Sequence, residues 1–231
     1  YQSLVRRGAP PAAGFAFLIA TPELGLDAVL LSLPLLGLKL AVVRVALAFT
    51  VALVAAVVVA HLFTEEARPG VRTDATIVPE PEGGRLRLAL HEGFVTTVDN
   101  IGPWLLLGLL AAALVEPFLK DSALTRIPAG LDVLVFALIG MPGYVCASAA
   151  TPFAAILIAS SVSPGAALAF LITGPATNVT TFGVLSALHG RRVAVGFGAV
   201  VLLLTVGLGV LLNVFLPASV SADVVDLHDH V

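Results

Sequence analysis

The chain has 231 residues, of which 58% are hydrophobic and only 12% charged; its net charge is −3 and its mean hydropathy +1.05. A soluble domain carries about twice that share of charge, so there is too little polar surface to face water and a lipid bilayer has to cover much of the molecule. The acidic balance, with no basic patch, excludes a nucleic-acid partner, and the single cysteine, Cys146, excludes an internal disulfide.

In chain order, "YQSLVRRGAPPAAG" lacks the three regions of a signal peptide and opens on Tyr1. The sequence reads as a fragment whose natural start lies upstream. Gly8 to Gly37 is apolar but interrupted by prolines, most sharply at "ATPELG". Leu40 to Phe63 reaches the roughly 20 apolar residues that a membrane span needs, with Arg44 near one end, where it would snorkel. Thr64 to Val98 carries six acids and four arginines and reads as a soluble linker. Ile101–Leu119 is a further span, anchored at the interface by Trp104. Leu131–Ala150 is another, interrupted by "GMPGY", and Thr151 to Gly190 is again broken by prolines. Val193–Leu216 has no charge and is the clearest span, and "PASVSADVVDLHDHV" is an acidic tail. Lys39, Lys120, Arg126, Arg191 and Arg192 sit in short loops, which the positive-inside rule places in the cytoplasm. On that reading Leu40–Phe63 and Val193–Leu216 both run outward.

Sliding the sequence by 153 residues places "PAAGFAFLIATP" on "PGAALAFLITGP", and 12 of 36 positions from 11 to 46 are identical. Pro11 falls on Pro164, Pro22 on Pro175, Gly37 on Gly190 and Lys39 on Arg192. Shared bilayer composition explains matched alanines and leucines but not matched prolines and glycines. The organisation is therefore a partial first transmembrane repeat (1–63), a hydrophilic linker (64–98), a second repeat (99–216) and the tail (217–231). The spacing leaves open whether the repeats are parallel or inverted. The fold class is an all-α polytopic helix bundle with discontinuous helices.

Broken backbone at membrane depth survives only where it is buried in protein or lines a wet cavity, and transporters build substrate sites from paired breaks. In "ITGPATN", Pro175 removes a donor, Gly174 permits unusual dihedrals, and Thr177 or Asn178 can cap the next helix. Thr21 and Pro22 occupy the matching break. With Tyr144, Cys146 and Thr151 these residues form the expected substrate site. Cys146 is either a small buried hydrophobe or a soft ligand suited to copper(I), zinc and similar thiophilic species. Glu23 and Asp27, four residues apart, are carboxylates at membrane depth and suit proton coupling; the alternative for Glu23 is a cap on a half-helix, favoured by its dipole. His228, Asp229 and His230 can gather metal or simply stay solvated. Thr151, Thr177, Thr180 and Thr181 either line the cavity or bond back to their own helices. His61, His91 and His189 are isolated.

The string "GMPGYVCASAATPFAAILIASSVSPGAALAFLITGPATN" resembles the ArsP-type bacterial permeases, membrane exporters associated with organoarsenical and copper/zinc efflux. "GAPPAAGFAFLIATPELGLDAVLLSLPLLG" and "VDNIGPWLLLGLLAAAL" are similar to that family's first repeat and middle span. The resemblance implies a multi-pass protein of the bacterial inner membrane and a thiophilic metal or metalloid as cargo. It implies a substrate role for Cys146, with partner cysteines from a Cys-Ser-Cys element upstream of this chain. No cofactor is called for, and no P-loop is present. The other readings are a permease for another small solute and an intramembrane enzyme. The enzyme reading lacks a "GxGD" motif or a second matched intramembrane aspartate.

Overall fold

A computed structural model describes residues 9–63, 130–141, 146–160 and 162–215, with residue 4. The expected span Ile101–Leu119, the linker, the tail and the site candidates Tyr144, His228, Asp229 and His230 lie outside the described residues. Among the described residues the fold is an all-α bundle. Its helices are α1 (Pro11–Glu23), α2 (Leu26–Leu62), α3 (Leu131–Gly140), α4 (Ala147–Ala159), α5 (Pro164–Ala176), α6 (Val179–His189) and α7 (Arg191–Phe215).

The 153-residue repeat is present in the backbone. Both α1 and α5 are 13 residues long, open on a proline and hold a second proline one residue before the end. Proline is tolerated in the first turn, where its missing N–H would have no partner anyway. α2 begins at Leu26 and α6 at Val179, the aligned position. Gly37 has φ 76° and ψ 163°, and Gly190 has φ 89° and ψ 161°. Only glycine occupies that region readily, which is why the two glycines match. Gly37 divides α2 into segments 26–36 and 38–62, the counterparts of α6 and α7. Each unit is thus a short helix, a break, a second short helix, a glycine turn and a long returning span. In the second unit α5 and α6 are bent by 48° and together are long enough to cross a bilayer.

Side-chain contacts fix the relative direction of the units. Phe15, early in α1, stacks on His189 at the end of α6 and on Phe197 in the second turn of α7, with ring centroids 5.7 and 6.0 Å apart. Phe63, just past α2, lies over Gly196. The start of α1 and the end of α2 therefore meet the start of α7. The start of α5 meets instead the end of α7: the Gly165 N–H donates to Asn213 Oδ1 at 2.8 Å, and Asn213 Nδ2 donates to Ser163 Oγ at 2.9 Å. The repeats are inverted, and segment 38–62 runs opposite to α7. This corrects the expected orientation, because Lys39 and Arg191–Arg192 follow glycine turns at opposite ends of the bundle and cannot all face the cytoplasm. Hydropathy and charge do not encode how helices far apart in the chain run relative to one another.

The segment expected to be one span, Leu131–Ala150, is also different. α3 and α4 are 10 and 13 residues long, too short to cross about 30 Å of hydrocarbon. The first turn of α3 lies at the far end of α7, where Val133 meets Gly209 and Gly130 meets Val210. Its last turn lies deeper, where Gly140 packs on Thr173 and Met141 reaches Gly198. From Ala159 the chain returns to Ser163 and the α5 start, at the end from which α3 entered. α3 and α4 form a re-entrant hairpin whose inner tip carries Cys146. Phe63 and Gly130 thus lie at opposite ends of the bundle, the change of side that the expected span Ile101–Leu119 would supply.

Glycines set the closest approaches. A Cβ on Gly165 would lie 2.1 Å from the Gly209 carbonyl oxygen, and one on Gly140 would lie 2.9 Å from the Phe170 carbonyl oxygen. Small residues at membrane helix crossings let backbones pack this tightly. α5 is buried along its whole length from Gly165 to Ala176, so it is the axis on which the hairpin, α7 and α1 pack.

Candidate functional site

The first break and the inner end of the hairpin lie at one depth. Asp27 precedes the Gly37 turn by ten residues, about 15 Å of helix. Ser148 precedes the outer end of α4, Ala159, by eleven, about 16 Å. Both are measured from the same end of the bundle, and both fall near half of a hydrocarbon layer roughly 30 Å thick.

Arg44 is the centre of this level. It is 1% exposed, and so is Glu23. Its Nη1 donates to the Ala28 carbonyl at 3.0 Å, to Thr151 Oγ1 at 2.9 Å and to Ser32 Oγ. The hydroxyls are oriented for this. Ser32 Oγ donates its own hydrogen to the Ala28 carbonyl at 2.7 Å, and Thr151 Oγ1 donates to the Ala147 carbonyl at 2.6 Å. Only their lone pairs are left for the guanidinium, which has donors alone. Arg44 Nη2 lies 3.7 Å from Glu23 Oε2, beyond hydrogen-bond reach, and among the described residues both buried Glu23 oxygens have no hydrogen-bond partner. One side chain therefore ties together the end of α1, the start of α2, the long returning segment 38–62 and the hairpin helix α4.

A second link lies beside the first. Ser148 Oγ donates to Asp27 Oδ2. Asp27 is exposed, unlike Glu23, and stands in the first turn of its helix, where the helix dipole favours a negative charge. Gly25 leaves room for it, since a Cβ there would lie 2.7 Å from Asp27 Oδ1. Among the described residues this level holds two carboxylates and one guanidinium, a charge arrangement that is costly at membrane depth.

Cys146 is exposed and occupies the N-cap position of α4, two residues before Ser148 and five before Thr151. Its carbonyl accepts from the Ala150 N–H at 2.9 Å. The structure thus brings Glu23, Asp27 and Thr151 together around Arg44, with Cys146 on the same hairpin. At the first break Thr21 is exposed and bonds back to the Phe17 carbonyl at 2.7 Å, and Pro22 is half-buried.

The second break is built differently. Gly174, Pro175 and Thr177 are fully buried, and Gly174 sits against the Gly140 carbonyl. Thr177 Oγ1 bonds back to the Thr173 carbonyl at 2.6 Å. Asn178 makes the cap: its Oδ1 accepts from the Thr181 N–H at 2.9 Å, and its Nδ2 donates to the Pro175 carbonyl at 3.1 Å. Glu23 is the last residue of α1, and Gly25 is the N-cap of α2; Glu23 faces Arg44 and caps no half-helix.

Sequence reasoning missed Arg44, Ser32 and Ser148. Arg44 was expected at the interface and is instead turned inward. A signal was available: Glu23, Asp27, Ser32 and Arg44 align with Ala176, Thr180, Leu185 and Phe197, so the two acids and the base stand together in the first unit alone. Cys146, Ser148 and Thr151 recur at short spacing along the start of one helix, which places them at one level once the hairpin is known.

A profile of the ArsP_1 family, described as a predicted permease, matches residues 1–214. No curated protein and no solved structure matches the chain. Because that match runs through both inverted units and the hairpin between them, the chain belongs to the ArsP_1 family of predicted permeases and is a membrane protein.

Proposed function

We propose that this permease exports a thiophilic metal or metalloid, copper or zinc or a trivalent organoarsenical, through the mid-depth site at its broken helices. The observation that carries the reading is the exposed Cys146 at the inner tip of a re-entrant hairpin, beside the side chains that bind Asp27 and Arg44. Thiolate sulfur selects soft cations over magnesium or calcium, and one sulfur among hydroxyls holds cargo loosely enough to release it. Asp27 and Glu23 are the proposed coupling carboxylates, Asp27 being the one open to exchange. The protein acts as a transporter rather than an enzyme, as a multi-pass component of the bacterial inner membrane.

The test is counterflow of arsenite, methylarsenite, copper(I) and zinc in proteoliposomes, with wild type beside Cys146→Ser. Accumulation of at least one thiophilic cargo by wild type, lost in the variant with the protein still folded, supports the reading. Equal flux in the two proteins would leave Cys146 as packing and point to another small solute.

A further inference from the structure

We infer that Arg44 is a positioning residue: it fixes the inner end of the re-entrant hairpin against the first broken helix and so sets where Cys146 stands. The inference deepens the proposed function and rests on it for the identity of the cargo. The molecule contains its own control. Glu23 and Ala176 are aligned and both buried; so are Ser32 and Leu185, and so are Arg44 and Phe197, while Asp27 and Thr180 are both exposed. The second unit builds the same helices, the same break and the same glycine turn with apolar residues at the three buried positions. The fold of a unit therefore does not require the charged set. Replacing a buried ion pair by well-packed apolar residues of similar volume is often neutral or stabilising, so the first unit has no evident need of the pair for its fold.

What differs is the partner. Both side chains reach beyond their own unit, but Phe197 packs on Phe15 in α1, whereas Arg44 bonds to Thr151 on the hairpin. The α4 helix has two such ties at its inner end, Thr151 to Arg44 and Ser148 to Asp27. Both come from the first unit, and both lie within five residues of Cys146. Glu23, whose oxygens have no other partner among the described residues, serves as the counter-ion that keeps the guanidinium at this depth. The transport level is thus assembled from the first unit and the hairpin, while the second unit supplies the frame.

The test reads the position of Cys146 directly, by the rate at which a membrane-permeant maleimide labels it. Thr151→Val removes the hairpin tie and leaves the ion pair. The double variant Glu23→Ala/Arg44→Phe copies two of the second unit's three buried residues into the first and leaves Ser32. Loss of one charge-assisted hydrogen bond is worth about tenfold in an equilibrium, and a change of that order in the labelling rate is expected in both variants. A cysteine placed by Ser160→Cys, in a Cys146→Ser background, reports the hairpin's outer end and is expected to label at an unchanged rate. Where a cargo is transported, Thr151→Val raises its KM with little change in kcat. Unchanged Cys146 labelling in Thr151→Val overturns the inference, and so does an equal change at both ends of the hairpin, which would mean general loosening. If the double variant does not fold, the claim that a unit tolerates apolar residues there is lost. Labelling needs no cargo, so failure of the metal or metalloid reading in counterflow and failure of this inference are separate results.

Discussion

The two repeated units share a backbone and differ in what fills it. In the second unit the helix break is closed: Asn178 caps α6, Thr177 bonds back to its own helix, Gly174 sits against the hairpin helix α3, and Pro175 is buried. In the first unit the break has no side-chain cap, and its neighbours are Glu23, Asp27 and, folded back from the long returning segment, Arg44. A duplicated break need not keep its job in both copies. One copy can serve as the frame while the other, held by the same helices and the same glycine turn, carries polar groups that the frame does not need.

The strongest way to break this comparison is to truncate the aligned pair Arg44 and Phe197. Arg44→Ala strands Glu23 as a buried unpaired charge, a loss of about 3–5 kcal/mol. Phe197→Ala leaves a cavity of similar cost, about 3–5 kcal/mol. Thermal unfolding in detergent is expected to fall comparably in both. Transport per folded molecule is expected to vanish in Arg44→Ala and to persist in Phe197→Ala; equal loss of transport would erase the distinction between the units.

The turn glycines should behave alike. Gly37→Ala and Gly190→Ala each force a side chain into a backbone region that costs about 1–3 kcal/mol or more. Near-equal drops in unfolding temperature are expected, and a large inequality would show that the units are not equivalent as scaffolds.

The smallest effects sharpen the comparison at the breaks. Asn178→Ala removes the N-cap of α6 at about 1 kcal/mol and is expected to lower stability while leaving cargo affinity unchanged. Gly25→Ala places a Cβ against the Asp27 carboxylate. It is expected to cost less than about 1 kcal/mol but to weaken the pH dependence or cargo affinity of transport by displacing Asp27 from Ser148. The reverse pattern in these two variants would assign the active break to the second unit.

Much of this architecture was legible from residues alone. Matched prolines and glycines gave away the duplication because each marks a backbone position that tolerates little else. The uncharged run around Val193–Leu216 announced α7, and "ITGPATN" announced a capped break. Other features depend on contacts that no local pattern encodes. Leu131–Ala150 has the length and apolarity of a span, and only its packing along α5 makes it the descending arm and tip of a hairpin. Arg44 lies seven residues past a turn glycine, close enough to an interface to suggest snorkelling, yet its head is held inward by Ser32, Thr151 and Glu23. The relative direction of the units follows from Phe15, Phe63 and Asn213 meeting opposite ends of α7, pairings that join residues far apart in the chain.

The inversion of the units can be measured most directly by sidedness. Lys39→Cys and Arg192→Cys, each in a Cys146→Ser background, occupy aligned positions just after the two glycine turns. Reacted with a membrane-impermeant maleimide in right-side-out and inverted vesicles, they are predicted to label from opposite faces. Labelling of both from the same face would contradict the inverted arrangement, and with it the common depth assigned to the first break and the hairpin tip.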